Sequence, residues 1–163
     1  MNALLSSLDR VRDALARAGA DCQVVTLPDS THSAADAAKA IGCEVAQIAK
    51  SIIFRACTSD QPVLVIASGV NRVDEKKVAA LLGEPIEKAD ADFIRQRTGF
   101  AIGGVSPVGH TGPVRVLIDE DLWKFDTVWA AAGTPNAVFK TTAEQLQTLT
   151  SGQRAMVARA PSP

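Results

Sequence analysis

The sequence predicts a single α+β domain with a mixed, largely antiparallel sheet flanked by helices. Three observations carry this. The 163 residues are 47% hydrophobic and 21% charged, a length and balance suited to one globular core. Helical and strand periodicities alternate along the chain without the regular βαβ rhythm of a parallel doubly wound sheet. Two β-rich runs, Ser51 to Cys57 and Pro62 to Ser68, are joined only by Thr58-Ser59-Asp60-Gln61, the clearest hairpin of the chain. No internal repeat, low-complexity tract or linker interrupts the chain, so residues 1–163 are read as one domain.

The other elements follow in order. Leu4, Leu8, Val11, Leu15 and Ala18 recur at helical spacing, which predicts a helix over 3–18 closed by Gly19. Cys22 to Leu27 alternates weakly and reads as a strand, broken by Pro28-Asp29-Ser30. Ser33 is the N-cap of an Ala-rich helix that stops at Gly42, with Asp36 completing a capping box. Val45, Ile48 and Ala49 suggest one more helical turn. Asp74 caps a helix over 75–82 that Gly83 closes, Pro85 to Lys88 is a short strand, and Asp90 or Asp92 starts a helix ending near Gly99. Phe100 to Ile102 leads into a glycine-rich loop over 103–112. Val114 to Ile118 is a strand, Asp119 to Leu122 a turn, Thr127 to Ala132 a strand, and Val138-Phe139-Lys140 a last core strand. Thr142 to Thr150 reads as a helix, and the Pro-containing tail as loose.

Charge and cysteine usage narrow the function. A formal net charge of −1 argues against gripping long nucleic acid, DNA included, through many phosphates, but allows contact with the end of an RNA. Met1 to Asp9 lacks the pattern of a signal peptide, and no stretch reaches the roughly 18 apolar residues of a membrane span. The expected location is cytoplasmic, with no membrane partner. Cys22, Cys43 and Cys57 are scattered without a C-x-x-C, and His32 and His110 are the only histidines. This supports neither a zinc site nor any other metal, and the cysteines read as reduced and structural.

Four segments have the residue types that chemistry needs. In Gly103-Gly104-Val105-Ser106-Pro107-Val108-Gly109-His110, three glycines and a proline set an unusual path. It is either a tight turn between strands or a place where the backbone approaches a ligand and its N–H groups bind an oxyanion. Its spacing is neither a P-loop nor a dinucleotide fingerprint. Lys50 enters the apolar run Ser51-Ile52-Ile53-Phe54, where its charge is disfavoured by desolvation. It either snorkels from a strand end or is placed for chemistry. Thr31-His32-Ser33 puts hydroxyls at a helix start, explained by capping alone or by an anion-friendly corner. Ala132-Gly133-Thr134-Pro135-Asn136 reads as a turn first and a pocket wall second.

Taken in order, these segments resemble the YbaK/ProX superfamily, free-standing relatives of the editing domain inserted in bacterial prolyl-tRNA synthetases. The residues that carry the resemblance are the polar entry to an Ala-rich helix (31–38), then Ile48-Ala49-Lys50-Ser51-Ile52-Ile53-Phe54. After these come Lys77 to Gly83, Thr98-Gly99, Gly103-Gly104-Val105-Ser106-Pro107-Val108-Gly109 and Ala132-Gly133. The resemblance is strongest over 25–150.

It implies a fold built around a curved sheet, and a cofactor-free hydrolase that cleaves the ester between an amino acid and the tRNA 3′ end. It implies Lys50 as the main catalytic residue. Substrate-binding positions would be Thr31, His32, Ser33, the loop residues Gly103, Gly104, Val105, Ser106, Pro107 and Gly109, and Gly133, Thr134 and Asn136. Aminoacyl-tRNA, held at its acceptor end, is the implied partner, with an aminoacyl-tRNA synthetase as a second. Lys76, Lys77, Arg95 and Arg97 are candidate phosphate contacts, or else solvated helix faces. The chain departs from many relatives at Gly133-Thr134-Pro135-Asn136-Ala137-Val138, which bears on specificity; small amino acids (alanine, serine or cysteine) are the expected cargo. Two rival readings are a non-catalytic module binding tRNA or a synthetase, and a small-molecule sensor using the same pocket.

Overall fold

The computed structural model describes residues 6–28 and 31–160. Leu4, the break at Asp29-Ser30 and the last prolines of the tail lie outside the described residues. Helix α1 (Ser7–Arg17) is capped by Ser6, whose hydroxyl accepts from the Asp9 N–H, and it buries Val11 and Leu15. Strand β1 (Val24–Thr26) follows, then α2 (Ala34–Ile41), with Ser33 as N-cap and Gly42 in the left-handed region as C-cap. The Asp36 carboxylate answers the cap by accepting from the His32 N–H, one residue ahead of the usual capping-box partner.

The long hairpin is β2 (Ile48–Ala56) and β3 (Gln61–Ser68), in register from Ala49 opposite Ser68 to Ala56 opposite Gln61. Beyond it lie α3 (Glu75–Leu82), β4 (Ile86–Lys88), α4 (Ala91–Thr98), β5 (Arg115–Asp119), β6 (Val128–Ala131), β7 (Ala137–Thr141) and α5 (Ala143–Thr150). Asp74, Asp90 and Thr142 cap their helices through the side chain. The chain then forms β8 (Gln153–Ala155). The sheet runs β1-β7-β6-β2-β3-β5-β8, with β4 added on β2. Among the described residues, four pairings are antiparallel and three parallel.

Two expectations are corrected. The helical turn after α2 stops at Gln47, and Ile48 and Ala49 already belong to β2, because they pair with Trp129 and Ala130 of β6. Lys50 is therefore the third residue of the strand, not its entry. The segment after α5 is not loose within the described residues. Gln153 to Ala155 pairs in parallel with β5, Val157 is fully buried, and Val73 bridges Ala158. Ala155 and Val157 turn inward while Arg154 and Met156 turn out, a strand alternation too short to stand out from the tail.

The apolar residues form three clusters. One face of the sheet packs on α1, α4 and α5 through Val11, Leu15, Ile53, Ile94, Phe100 and Leu146. The other face carries two separate clusters. One joins Phe54, Val65 and Leu117 to Val78 of α3, and the other joins Ile48 and Val138 to Ala37 and Ala38 of α2. Side chains alternate along a strand, so Lys50 shares its face with Ile48, Ile52 and Phe54. It stands between the two clusters, opposite the small Ala67 of β3.

Candidate active site

The site begins as a break in the sheet. On one edge β2 is paired with β3 along almost its whole length. On the other edge β6 takes Ile48 and Ala49, and β4 takes Phe54 to Ala56. Residues 50–53 thus have a strand neighbour on one side only, and their main-chain polar groups on the open edge are available to a ligand. Two hollows meet at this gap. The smaller, about 220 Å³, is walled by Ala34 and Ala37 of α2, Trp129 and Ala131 of β6, and Ala137 and Val138 of β7. The larger, about 640 Å³, reaches toward Arg72, Glu75, Lys88, Ile94 and Arg159. Lys50, Ser51, Gly103 and Val105 belong to both.

Lys50 is half-buried, and its ammonium has no hydrogen bond or ion pair among the described residues. Burial pushes its pKa below the ordinary 10.5; the negative Asp119 opposes that shift and the positive Arg72 adds to it. Asp119 is itself buried and committed, accepting from the Ser68 N–H at 3.0 Å and Asn71 Nδ2 at 2.8 Å. It supplies field, not a salt bridge. Ser51 Oγ is a buried oxygen with no partner among the described residues. It lies on the opposite face of β2 from Lys50 yet borders both hollows through the open edge.

The glycine-rich loop divides in two. Gly103 and Val105 border the site, and their N–H groups have no main-chain partner among the described residues, whereas the Gly104 N–H donates to the Ala101 carbonyl. Gly104 packs against the turn after β6: a Cβ there would sit 3.2 Å from the Gly133 carbonyl oxygen. Gly133, at φ +100°, passes so close to Ser7 that a Cβ would meet its oxygen at 2.7 Å. Ser106 is buried; its hydroxyl accepts from the Val108 N–H at 3.2 Å, and its carbonyl lies 2.7 Å from His110 Nε2. Pro107 and Gly109 border a separate hollow with Ala14 and His110. Ser106, Pro107 and Gly109 brace the loop instead of lining the hollows at Lys50.

At the helix entrance, His32 and Ser33 border the smaller hollow, while Thr31 is buried and not part of its wall. Ser33 Oγ is engaged as the α2 cap, at 3.1 Å from the Asp36 N–H. Asn136 works one layer back. Its side-chain amide donates to the Leu27 carbonyl at 3.0 Å and its Oδ1 accepts from Thr134, clamping the segment before α2 to the β6–β7 turn. Pro135 of the same turn reaches the smaller hollow.

Sequence patterns miss Trp129, Ser51, Arg72 and Arg159. The apolar alternation of β6 hides Trp129 as a core residue, and only tertiary pairing brings Arg72 and Arg159 to one place. Of the candidate phosphate contacts, Lys77 Nζ donates to the Ala158 carbonyl, and Arg97 pairs with Asp60 and stacks on Phe93. Among the described residues no group of three His, Cys, Asp or Glu is placed to hold a metal ion, and no helix is long and apolar enough to cross a membrane. The three cysteines are free and half-buried, and burial raises the thiol pKa of Cys22 and Cys43.

Comparisons with known proteins show which family the chain belongs to. The chain is 31% identical to the uncharacterized protein YwhH of Bacillus subtilis over 140 residues, 86% of this chain and 88% of that one. It is 25% identical to EbsC of Enterococcus faecalis, named as a Cys-tRNA(Pro)/Cys-tRNA(Cys) deacylase, over 77% of this chain and 76% of that one. A proline–tRNA ligase of Limosilactobacillus fermentum matches 56% of the chain at 34% identity, and the match spans 17% of that enzyme. A crystal structure described as a trans-editing enzyme for prolyl tRNA synthetase superposes with a TM-score of 0.91 at 43% identity, covering 97% of this chain and all of that one. The profile of the family described as "Aminoacyl-tRNA editing domain" matches residues 28–149, and the chain belongs to that family of deacylases.

Proposed function

We propose that this chain is a trans-editing hydrolase that cleaves the ester of mischarged tRNA carrying a small amino acid: alanine, serine or cysteine. The observation that carries the reading is the position of Lys50, an ammonium without a partner among the described residues, on the partition between a hollow of about 220 Å³, walled by alanines together with Trp129, Pro135 and Val138, and one of about 640 Å³. In this reading the smaller takes the amino-acid side chain. The larger lies in the size range of small-molecule sites and takes the terminal adenosine. The ester joining the two then lies at Lys50.

Water attacks the carbonyl carbon, and the electron pair moves to the carbonyl oxygen. Lys50, with the N–H groups of Gly103 and Val105, stabilises that oxyanion, each donor contributing about 3 to 4 kcal/mol. When the intermediate collapses, the bond to the ribose oxygen breaks and that oxygen takes the proton given up by the attacking water, leaving a free amino acid and an uncharged tRNA. No acyl-enzyme is needed, because an aminoacyl ester is already activated and positioning does much of the work. Ser106 is buried and braces the loop, so it does not serve as a nucleophile. The acceptor end of tRNA is the partner, a synthetase is the second partner this reading allows, and the cytoplasm is where both are found. No metal or other cofactor takes part.

A deacylation screen of the purified protein against alanyl-, seryl-, cysteinyl-, prolyl-, leucyl- and phenylalanyl-tRNA tests this. Hydrolysis of the first three is expected. Binding of charged tRNA without turnover would identify a binding module instead, and tight binding of a free amino acid without RNA a sensor.

A further inference from the structure

We propose that Arg72 and Arg159, with Lys88 in the same lining, form a phosphate subsite for the backbone of the tRNA 3′ end in the larger hollow. The inference rests on the deacylase reading and adds a second anchoring point to it. The lining of that hollow includes Lys50, Arg72, Lys88 and Arg159 against one carboxylate, Glu75. None of the four cationic side chains has a hydrogen bond or ion pair among the described residues. Elsewhere Arg55 is paired with Asp60 and Glu87, Arg97 with Asp60, Arg17 with Asp13 and Lys124 with Asp121. Other cations without an ion pair among the described residues, such as Arg12, Lys39 and Lys140, do not line this hollow; what sets it apart is that four cationic side chains line one cavity against a single carboxylate, in a chain of net charge −1.

The backbone holds the two arginines together. Val73 and Ala158 form an antiparallel bridge, the Arg159 N–H donates to the Arg72 carbonyl at 2.7 Å, and the Asp74 N–H donates to the Val157 carbonyl at 2.7 Å. In that register Arg72 and Arg159 are cross-strand neighbours. Like charges so placed repel, and no acidic side chain is paired with either arginine. An anion between them removes that cost. The position is rigid on both sides. Asn71 Nδ2 is bonded to Asp119 at 2.8 Å and to Asp121 at 2.7 Å, while Val157 is fully buried. Two planar guanidinium forks suit phosphate oxygens, which they bind in pairs.

The test compares two substrates in wild type, Arg72→Ala, Arg159→Ala and, as a control outside the hollow, Lys140→Ala. One substrate is alanyl-tRNA and the other is the alanyl ester of adenosine, which has no phosphate. Each arginine variant is expected to lose about tenfold in kcat/KM on the tRNA, the size of one charge-assisted interaction, and at most about twofold on the adenosine ester. The slope of log affinity for tRNA against log salt should become shallower by about one per arginine. Lys140→Ala should match wild type. Equal losses on both substrates, or none on the tRNA, overturn the subsite and leave the deacylase reading standing.

If wild type turns over neither substrate, the deacylase reading fails. Binding of the trinucleotide CCA then judges the subsite alone: weaker binding in the arginine variants sustains it, and unchanged binding overturns it. Displacement of CCA by equimolar inorganic phosphate would identify a free-anion site and overturn the assignment to RNA. Thermal melts of each variant separate these outcomes from misfolding.

Discussion

Arg10 of α1 donates through Nε to the carbonyl oxygen of Gly109, at 3.3 Å, and so ties the first helix to the glycine-rich loop. The same guanidinium donates to the Gly99 carbonyl and lies 4.8 Å from the centre of the Phe100 ring. Arg10→Ala is expected to cost about 3 kcal/mol, because it removes charge-assisted hydrogen bonds and a cation–π interaction together. A chemical denaturation midpoint measures this, and a change below about 0.5 kcal/mol would show that the loop holds its own shape.

Lys50→Ala should abolish deacylation while leaving the melting temperature unchanged or slightly raised, since a half-buried, unpaired ammonium is a cost to the fold. Lys50→Arg should fail as well, because a planar fork cannot replace a compact ammonium opposite Ala67. Near-normal turnover in the alanine variant would remove Lys50 from the mechanism.

The rate should fall in alkali earlier than an ordinary lysine would dictate. The pKa of Lys50 is depressed below 10.5; in the proposed mechanism the ammonium is the active form, so activity should be lost as pH rises through that lowered value. Arg72→Ala should move the alkaline limb upward by removing a repelling charge, and Asp119→Asn should move it downward. The measurement is kcat/KM against pH after subtraction of spontaneous hydrolysis. An alkaline limb at or above 10.5 would contradict the environment described for Lys50.

Wild type should hydrolyse alanyl-tRNA faster than leucyl- or phenylalanyl-tRNA, by a ratio set by Trp129, Pro135 and Val138 in the wall of the smaller hollow, with each methylene worth about 1 to 3 kcal/mol. Trp129→Ala opens its wall and should narrow that ratio. Ser33→Ala should reduce any advantage of seryl over alanyl esters, and loss of the α2 cap should also cost about 1 kcal/mol of stability. Comparable wild-type rates on all three esters would refute exclusion by size.

His110 predicts a pH dependence of stability. Burial, with Arg10 adding to it and the bond to the Ser106 carbonyl opposing it, lowers its pKa below 6.5 in the folded protein. The unfolded chain then binds the proton more readily. The stabilising contribution is complete above 6.5 and is lost as pH falls through the folded value. Urea midpoints between about pH 7.5 and pH 5 should decline, and less so in His110→Gln. Identical slopes in the two proteins would assign the decline to other groups.

Much of the fold is legible in the residues themselves. The β2–β3 hairpin, the caps at Ser33, Asp74 and Asp90, and Lys50 at an apolar strand follow from local spacing, because turns and caps are settled by near neighbours. The missing parts depend on distant partners. Trp129 looks like any buried aromatic until β6 stops pairing after Ala49 and leaves it beside a gap. Arg72 and Arg159 sit in ordinary local contexts, and only the Val73–Ala158 bridge makes them neighbours. The glycine-rich loop reads as one unit in sequence, yet burial of Ser106 and the approach of Gly109 to Arg10 make half of it scaffold.

Because Lys50 and Ser51 border both hollows, the two cavities share one thin wall. Two weak fragments, a small amide in one and a purine in the other, would lie close enough to be joined through a short non-hydrolysable linker across the lysine. The second half would then bind as if tethered at high effective concentration, and the joined compound would exceed the product of its parts. The open edge of β2 thus offers a route to inhibitors that mimic the ester and that neither cavity alone would suggest.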